Sequence, residues 1–156
     1  MKILVISDTH GNYSRALSAH TLSEPVDLII HLGDGDDDVK VLRDALGITV
    51  ISVAGNCDAG SNAPREMLSE YMGKRLFLTH GDAYRVKSSL KNLQTRGAEL
   101  RVDAVLFGHT HIAYSEINSG ILFFNPGSLA NHSSHRSYAI LDVTTDGIFS
   151  EHFTID

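Results

Sequence analysis

The first third of the sequence alternates short apolar runs with segments of helical character. Strands are predicted over the apolar runs Lys2–Ser7, Val26–Leu32 and Ile48–Ala54. One helix is predicted from a cap at Asn12 or Ser14 to about Leu22, and another from Asp36-Asp37-Asp38 to near Gly47. This βαβαβ order predicts a parallel sheet with helical crossovers, in which ligands bind beyond the carboxyl ends of the strands.

The second half of the sequence is more antiparallel in character. Hairpins are predicted for Arg65–Tyr71 with Arg75–Thr79, for Ala113–Ile117 with Ile121–Phe124, and for Tyr138–Val143 with Ile148–Thr154. Between the first two hairpins, a helix over Val86–Leu100 leads into a strand over Asp103–Phe107. No repeat or linker interrupts the chain, so we expect one α/β domain over residues 1–156, with two packed mixed β-sheets flanked by helices.

Residues of the kind that bind metals follow several predicted strands. Five stretches carry them: Asp8-Thr9-His10, Gly33-Asp34, Gly55-Asn56, Thr79-His80-Gly81 and Gly108-His109-Thr110-His111. The candidate ligands are Asp8, His10, Asp34, Asn56, His80, His109 and His111. In extended backbone, residues two positions apart face the same way, so each Asp-x-His or His-x-His pair is expected to enter one cavity.

The mixture of carboxylate, imidazole and amide donors indicates the kind of ion. It suits Mn, Fe, Ni or Zn better than Ca or Mg. Seven donors exceed the needs of one ion, and with one bridging carboxylate they fit two ions about 3.5 to 4 Å apart, the arrangement used to attack phosphate esters. A mononuclear iron oxygenase site, with two histidines and one carboxylate, would leave four of the seven donors idle.

In this order, the five motifs resemble those of the calcineurin-like metallophosphoesterases. The short length, Gly55-Asn56-Cys57-Asp58 and Asn125-Pro126-Gly127-Ser128 are most similar to the small prokaryotic phosphodiesterase branch, and the resemblance extends from Met1 to about Tyr138. It implies a metallo-dependent phosphatase-like four-layer sandwich. It also implies that Asp8, His10, Asp34 and His111 hold one ion, while Asp34, Asn56, His80 and His109 hold the other.

The resemblance implies a phosphodiesterase with two divalent transition-metal ions. Mn²⁺ is the favoured ion, with Ni²⁺, Fe²⁺ and Zn²⁺ as alternatives. A hydroxide shared by the two ions would attack phosphorus in line, with Asp34 as the bridging ligand. Asn56 and His109 are predicted to act in catalysis as well as in metal binding, and Asn56 can stabilise charge on the phosphoryl oxygens.

Two departures from the larger family limit the functional interpretation. Many members carry a histidine directly after Gly-Asn, where it helps to protonate the leaving group, whereas this chain has Cys57. Recognition inserts have room only at Asp58–Pro64, so the physiological substrate is weakly encoded. The alternative function is a catalytically weak or inactive scaffold of the same fold that binds a protein partner.

Composition narrows the partners and the cellular location. The net charge of -6 argues against a stable nucleic-acid complex or a membrane-surface protein, although bound cations would still admit a small phosphodiester substrate. The single cysteine and the absence of a signal peptide or long apolar span predict a cytoplasmic protein. Homo-oligomerisation is left open by the sequence.

The remaining polar residues receive structural interpretations. His31 lies inside an apolar run and is predicted to be a hydrogen-bonded core histidine or a supporting partner of the ligands. Asp36–Asp38 is interpreted as an acidic helix start, and Asn125–Ser128 as a turn. Four histidines without a strand-end context are predicted to be surface residues: His20, His132, His135 and His152.

Overall fold

The structure is a computed structural model that describes residues 1–156. Its strands are β1 (Lys2–Ile6), β2 (Leu28–His31), β3 (Thr49–Ser52), β4 (Glu66–Tyr71), β5 (Lys74–Thr79), β6 (Ala104–Leu106), β7 (Ala113–Asn118), β8 (Ile121–Pro126), β9 (Ser137–Val143) and β10 (Ile148–Thr154). Its α-helices are α1 (Tyr13–Ser23), α2 (Asp36–Ala45) and α3 (Lys91–Leu100). None of the helices has the length and apolar character needed to cross a bilayer.

The strands form two five-stranded mixed sheets. The first has the order β10-β9-β1-β2-β3, with β1, β2 and β3 parallel and β9 and β10 added as an antiparallel pair. The second has the order β4-β5-β6-β8-β7, with β5, β6 and β8 parallel and an antiparallel strand at each edge. Each sheet therefore contains three adjacent parallel strands, and their carboxyl ends lie at the same end of the sheet.

Alternating residues of the strands form three buried clusters and so define the layers. The central cluster contains Ile3 and Val5 of β1 together with Leu76 and Leu78 of β5, which places it between the two sheets. The intervening residues of β1 pack with α1 and α2, through side chains such as Ala16 and Leu42. The outer face of the second sheet packs with Leu93 of α3. The predicted four-layer sandwich of two mixed sheets and outer helices is confirmed.

The third helix begins later than the sequence pattern predicts. The pattern predicts a helix over Val86–Leu100, but α3 starts at Lys91, whose backbone N–H donates to the Ser89 hydroxyl at 3.1 Å. Before it, a 3-10 turn over Asp82–Tyr84 ends at Arg85, which has a φ of 55°. Val86 is buried, so its apolar character reflects packing against the second sheet rather than a longer helix.

The other boundaries agree with the prediction to within two residues. Two of the predicted hairpins close through two-residue turns with positive φ at both positions, Met72-Gly73 and Ser119-Gly120. The interpretation of Asn125–Ser128 as a turn is wrong for its first half. Asn125 and Pro126 continue β8, because they pair with Tyr114 and Ala113 of β7.

Candidate metal centre

The candidate ligands lie on loops that follow the parallel strands of both sheets. The loops after β1, β2 and β3 carry Asp8, His10, Asp34 and Asn56. The loops after β5 and β6 carry His80, His109 and His111. Because the carboxyl ends of parallel strands share one edge of a sheet, the two sheets bring all five loops to one end of the sandwich.

The backbone at the Asp-x-His and His-x-His pairs is not extended, so the prediction that these side chains face the same way through strand alternation is wrong. Five candidate ligands have positive φ values: Asp8 (51°), His10 (45°), Asp34 (57°), His109 (66°) and His111 (62°). Left-handed conformations are uncommon outside glycine, and Asp and His are among the residues that tolerate them best. In each pair, both ligand residues adopt the left-handed conformation in a loop, and this brings their side chains together. The predicted location of both side chains in one site is observed, but the backbone that produces it is different.

Six of the seven candidate side chains are brought together. Oδ1 of Asp8 lies 3.1 Å from Nε2 of His111, 3.9 Å from Nε2 of His10 and 3.9 Å from Nε2 of His80. Oδ2 of Asp34 lies 3.7 Å from Nε2 of His10 and 3.3 Å from Nε2 of His80. Nδ1 of His109 lies 3.2 Å from Nε2 of His80. The cluster thus joins the ligands of the first sheet to those of the second.

Each carboxylate has one oxygen fixed by the protein and the other directed at the histidines. Oδ2 of Asp8 accepts hydrogen bonds from the Ser7 hydroxyl at 2.6 Å and from the His109 backbone N–H at 3.0 Å. Oδ1 of Asp34 accepts the Cys57 backbone N–H at 2.8 Å. Oδ1 of Asp8 is buried and, although Nε2 of His111 is 3.1 Å away, forms no hydrogen bond of good geometry. An unpartnered buried carboxylate oxygen is costly, and a cation bound among these donors would satisfy it, so the residues fit a metal ion.

The charges of the cluster also fit a cation. Burial by itself would raise the pKa of both carboxyl groups. For Asp8 this is outweighed by His111, His80 and Ser7, and for Asp34 by His80 and the Cys57 backbone N–H. Both pKa values therefore lie below their ordinary range, and both groups are carboxylates at neutral pH. Ionised carboxylates are the form required for metal coordination.

The ring of His80 is oriented by the backbone of another loop. Its Nδ1 donates to the Leu32 carbonyl at 2.7 Å, which directs Nε2 toward the two carboxylates. A metal-binding histidine characteristically has its second nitrogen fixed in this way. Burial lowers the pKa of His80, but Asp34 and Asp8 outweigh it and hold that pKa above its ordinary value. Burial and the charge of His80 lower the pKa of His109, which favours its neutral, ligand form.

Asn56 lies at the margin of the cluster. Its side chain is exposed, and its amide nitrogen donates to Sγ of Cys57 at 3.4 Å. Cys57 itself groups with His10 and Asp34, with their donor atoms within 4.8 Å of one another. Burial raises the pKa of the Cys57 thiol, and Asp34 raises it further, so sulfur is protonated at neutral pH.

Two of the motif glycines are required by close approach. A Cβ on Gly55 would lie 2.0 Å from Oδ1 of Asp34. A Cβ on Gly108 would lie 2.0 Å from Oγ of Ser7 and 2.8 Å from Oδ2 of Asp8. A side chain at Gly55 would displace the Asp34 carboxylate, and one at Gly108 would displace the Ser7 hydroxyl that donates to Asp8. The Gly-Asn and Gly-His pairs therefore need glycine at their first position.

Asp58 has a role that the sequence interpretation missed. Its Oδ2 accepts the backbone N–H groups of Asp34 and Gly55, each at 2.7 Å. Its Oδ1 accepts those of Gly35 at 2.9 Å and Asp36 at 3.0 Å. One carboxylate therefore holds together the loops that present Asp34 and Asn56. A sequence signal existed only in the position of Asp58, two residues after the Gly-Asn pair.

Asn125 was recognised only as part of a turn, but it supports the double-histidine loop. Its amide nitrogen donates to the Gly108 carbonyl at 2.8 Å and to the Thr110 hydroxyl at 3.1 Å. Nε2 of His152 contacts the Asn125 carbonyl at 2.7 Å. The prediction of His152 as a plain surface residue is therefore wrong, because the ring is partly buried and stacked on Phe124.

The remaining histidines divide between core and surface. His31 is 1% exposed, its Nδ1 accepts the Gly33 N–H, and its other ring nitrogen contacts the Thr9 hydroxyl. Burial lowers its pKa to about 4, so His31 is a neutral core histidine and that prediction is confirmed. His20 is only 6% exposed, so its assignment to the surface is wrong. His132 and His135 are exposed as predicted, and His132 lies beside His10 and His111.

The acidic start of the second helix is partly structural. Asp36 and Asp37 pair with Lys40 on the helix surface. Asp38 is buried, and its carboxylate accepts the Gly11 backbone N–H at 2.8 Å. The prediction of an acidic helix start is confirmed, with Asp38 also tying the helix to the loop that carries His10.

The donor cluster at one end of the sandwich is of the kind that could hold metal ions. The sequence matches the family model of the calcineurin-like phosphoesterase superfamily domain over residues 1–146, and the chain belongs to this superfamily.

Relatives agree with this membership. The probable metallophosphoesterase YsnB of Bacillus subtilis is 37% identical over 149 residues, which cover 94% of this chain and 86% of the relative. Phosphodiesterase YfcE of Escherichia coli K12 is 31% identical, with 91% of this chain and 88% of the relative covered.

Solved structures share the fold. An archaeal phosphodiesterase superposes with a TM-score of 0.81 at 24% identity, over 99% of this chain and 100% of that chain. Vps29 of Entamoeba histolytica, determined as a Zn²⁺ complex, has a TM-score of 0.78 at 20% identity, with 99% of each chain covered. At these identities the structures establish the shared fold.

Proposed function

We propose that this chain is a binuclear metal-dependent phosphodiesterase. The observation that carries the proposal is the position of Asp34, whose Oδ2 lies between Nε2 of His10 and Nε2 of His80. A carboxylate with a histidine on each side is placed to bridge two cations. Seven potential donors and the unpartnered Oδ1 of Asp8 support two ions rather than one.

The donors divide between two ions as the family resemblance implies. One ion would be held by Asp8, His10 and His111, and the other by His80, His109 and Asn56. Asp34 would bind both ions. When bound, such ions act as Lewis acids on the phosphoryl group and lower the pKa of a shared water toward neutrality. Mn²⁺ remains the favoured ion, because oxygen and imidazole donors are both present.

The protein groups have distinct tasks around the substrate. The exposed amide of Asn56 can donate to a phosphoryl oxygen, and the ring of His109 lies beside His80. The thiol of Cys57 is a weak proton donor, because burial and Asp34 raise its pKa above the ordinary value for cysteine. The chain therefore offers little acid assistance to a leaving group at this position, which favours diesters with acidic leaving groups.

The cleft beside the cluster limits the size of the substrate. It has a volume of about 290 Å³ and is bordered by His10, Asp34 and Cys57. Ligand pockets commonly measure roughly 300 to 1,000 Å³, so this one fits a small phosphodiester. The neighbouring carboxylates of Asp36 and Asp37 add negative charge, which disfavours a polyanionic nucleic acid.

Metal removal and reconstitution test the proposal. The chelated protein is expected to lose hydrolysis of an activated aryl diester and to regain it best with Mn²⁺, with two ions per chain at saturation. Asp34→Asn is expected to lower turnover by at least about 100-fold and to weaken both sites. Asp44→Asn, at an exposed position, is the matched control and should retain wild-type turnover. One ion at saturation, or equal turnover of the two variants, would refute the binuclear assignment.

A protein-binding scaffold is the second candidate. The fold is shared with Vps29 of Entamoeba histolytica, and Ile112 and Ile117 are exposed apolar residues near or on β7. Metal donors alone do not separate the two functions, because Vps29 was itself determined as a Zn²⁺ complex. Hydrolysis is favoured by the relatives at 31% to 37% identity, which are named phosphodiesterase and probable metallophosphoesterase. A reconstituted protein without activity on any aryl or nucleotide ester would reverse this preference.

A further inference from the structure

Three imidazoles form a triangle at the solvent-facing rim of the metal centre. The ring centres of His10 and His111 are 5.4 Å apart, those of His10 and His132 are 5.4 Å apart, and those of His111 and His132 are 5.5 Å apart. One ring nitrogen of each histidine lies within 4.8 Å of a ring nitrogen of the other two. His132 belongs to none of the five ligand motifs.

The segment that carries His132 is fixed on both sides. Leu129 and Ala130 are fully buried. The side-chain oxygen of Asn131 accepts hydrogen bonds from Asn12 at 3.1 Å and from Arg15 at 3.0 Å. The Asn131 carbonyl accepts a further hydrogen bond from Arg136 at 2.9 Å. The residue before His132 is thus tied to the start of α1, so the position of His132 is set by the fold.

We propose that His132 is an additional metal ligand, which forms with His10 and His111 a three-imidazole face on the metal centre. The inference rests on the proposed metal-dependent function, because His10 and His111 are shared with it. Three imidazoles bound to one tetrahedral ion at about 2.0 to 2.1 Å have ring centres roughly 5.3 Å apart. The observed separations of 5.4 to 5.5 Å are close to that spacing.

The composition of this face predicts which ions use it. Imidazole suits Zn²⁺, Ni²⁺ and Cu²⁺, whereas Mn²⁺ and Mg²⁺ prefer oxygen donors. His132 therefore strengthens the binding of nitrogen-preferring ions and leaves Mn²⁺ binding nearly unchanged. The residue acts as a determinant of metal selectivity, added to a donor set that would otherwise accept several ions.

His135 provides a matched control. It is exposed like His132, lies three residues further along the same segment, and belongs to none of the three potential ligand groups. A surface histidine that binds metal only nonspecifically would behave like His135. Because His132 is exposed, its replacement by alanine removes no buried contact, and thermal unfolding of both variants would verify that they are folded.

The test compares metal binding by the wild-type chain, His132→Ala and His135→Ala after chelation. Competition titrations are expected to show Zn²⁺ affinity lowered about 10- to 100-fold in His132→Ala, with Mn²⁺ affinity changed less than about 3-fold. His135→Ala is expected to match the wild type with both ions. The electron paramagnetic resonance spectrum of bound Cu²⁺ should show one imidazole nitrogen fewer in His132→Ala.

Equal Zn²⁺ affinity in His132→Ala and His135→Ala, or an unchanged number of coupled nitrogens, would overturn the assignment of His132. Failure of the proposed function has a different signature, since it would appear as full diester hydrolysis by Asp34→Asn. The two outcomes are measured on different variants and by different readouts.

Discussion

Asp58 is expected to control both the stability of the fold and the metal affinity of a site that it does not enter. The perturbation is Asp58→Asn, which keeps the size of the side chain and removes one acceptor oxygen. In the wild type the carboxylate accepts four backbone N–H groups, those of Asp34, Gly35, Asp36 and Gly55. In the variant, the amide group would face two backbone N–H donors that it cannot accept.

The magnitude follows from the number of hydrogen bonds lost. Hydrogen bonds to charged groups contribute about 1.5 to 3 kcal/mol each, and an unsatisfied buried donor costs about 1 to 3 kcal/mol. Two lost acceptor contacts should therefore lower the free energy of unfolding by about 3 kcal/mol. For a chain of 156 residues this corresponds to a fall in Tm of roughly 6 to 12 °C.

Thermal and urea unfolding of the metal-free protein measure the stability effect, and calorimetric titration with Mn²⁺ measures the affinity. Asp37→Asn is the control, because the Asp37 side chain is 97% exposed and pairs only with Lys40 on the helix surface. The control should be within about 0.5 kcal/mol of the wild type. If Asp58→Asn has the Tm and the metal affinity of Asp37→Asn, the four contacts do not hold the ligand loops together.

Substitutions at three further positions test separate parts of the structure. Cys57→Ala should keep aryl diester hydrolysis within a few-fold of wild type, and Cys57→His should raise activity toward alkyl leaving groups. A series of esters of graded leaving-group pKa measures both effects, and a uniform loss of activity in Cys57→Ala would contradict the weak role of the thiol. Burial lowers the pKa of His31 to about 4, so the stability that depends on its neutral ring is complete above about pH 6.5 and is lost as the pH falls. Between pH 7 and 4.5, urea unfolding should show a loss of unfolding free energy that is about 2 kcal/mol larger in the wild type than in His31→Gln. Equal losses in the two proteins would contradict this. Asn125→Ala removes the donor to the Gly108 carbonyl, so it should lower the free energy of unfolding by about 1 to 3 kcal/mol and also lower the metal affinity. The control Asn118→Ala, at a hairpin end, should change neither quantity.

The layers and the location of the site could be predicted because both leave regular signals in the sequence. Buried strands such as β1 are short apolar runs, and the ligands come directly after them. The same kind of signal indicates that His20 is buried. Ala16, Ala19, His20 and Ser23 have the spacing of one helical face, and all four are buried.

The supports of the site could not be predicted, because they connect residues far apart in the chain through backbone groups. Asp58 binds N–H groups of residues 34 to 36, and Asn125 binds a carbonyl 17 residues before it. Contacts of this kind impose no periodicity, so a single Asp or Asn in a loop is indistinguishable from a turn residue. The left-handed backbone of Asp8 is similarly invisible in a sequence that has no glycine there.

The left-handed ligand residues explain why the site needs such supports. Non-glycine residues in this conformation cost about 1 kcal/mol or more each, and five candidate ligands adopt it. A total of about 5 kcal/mol equals the lower end of the net stability of an ordinary domain. The hydrogen bonds of Asp58 and Asn125 offset this cost, and the bound ion would add to them. Substitutions of the supports should therefore reduce stability and metal affinity together, whereas Asp34→Asn, which keeps the backbone in place, should reduce mainly the affinity.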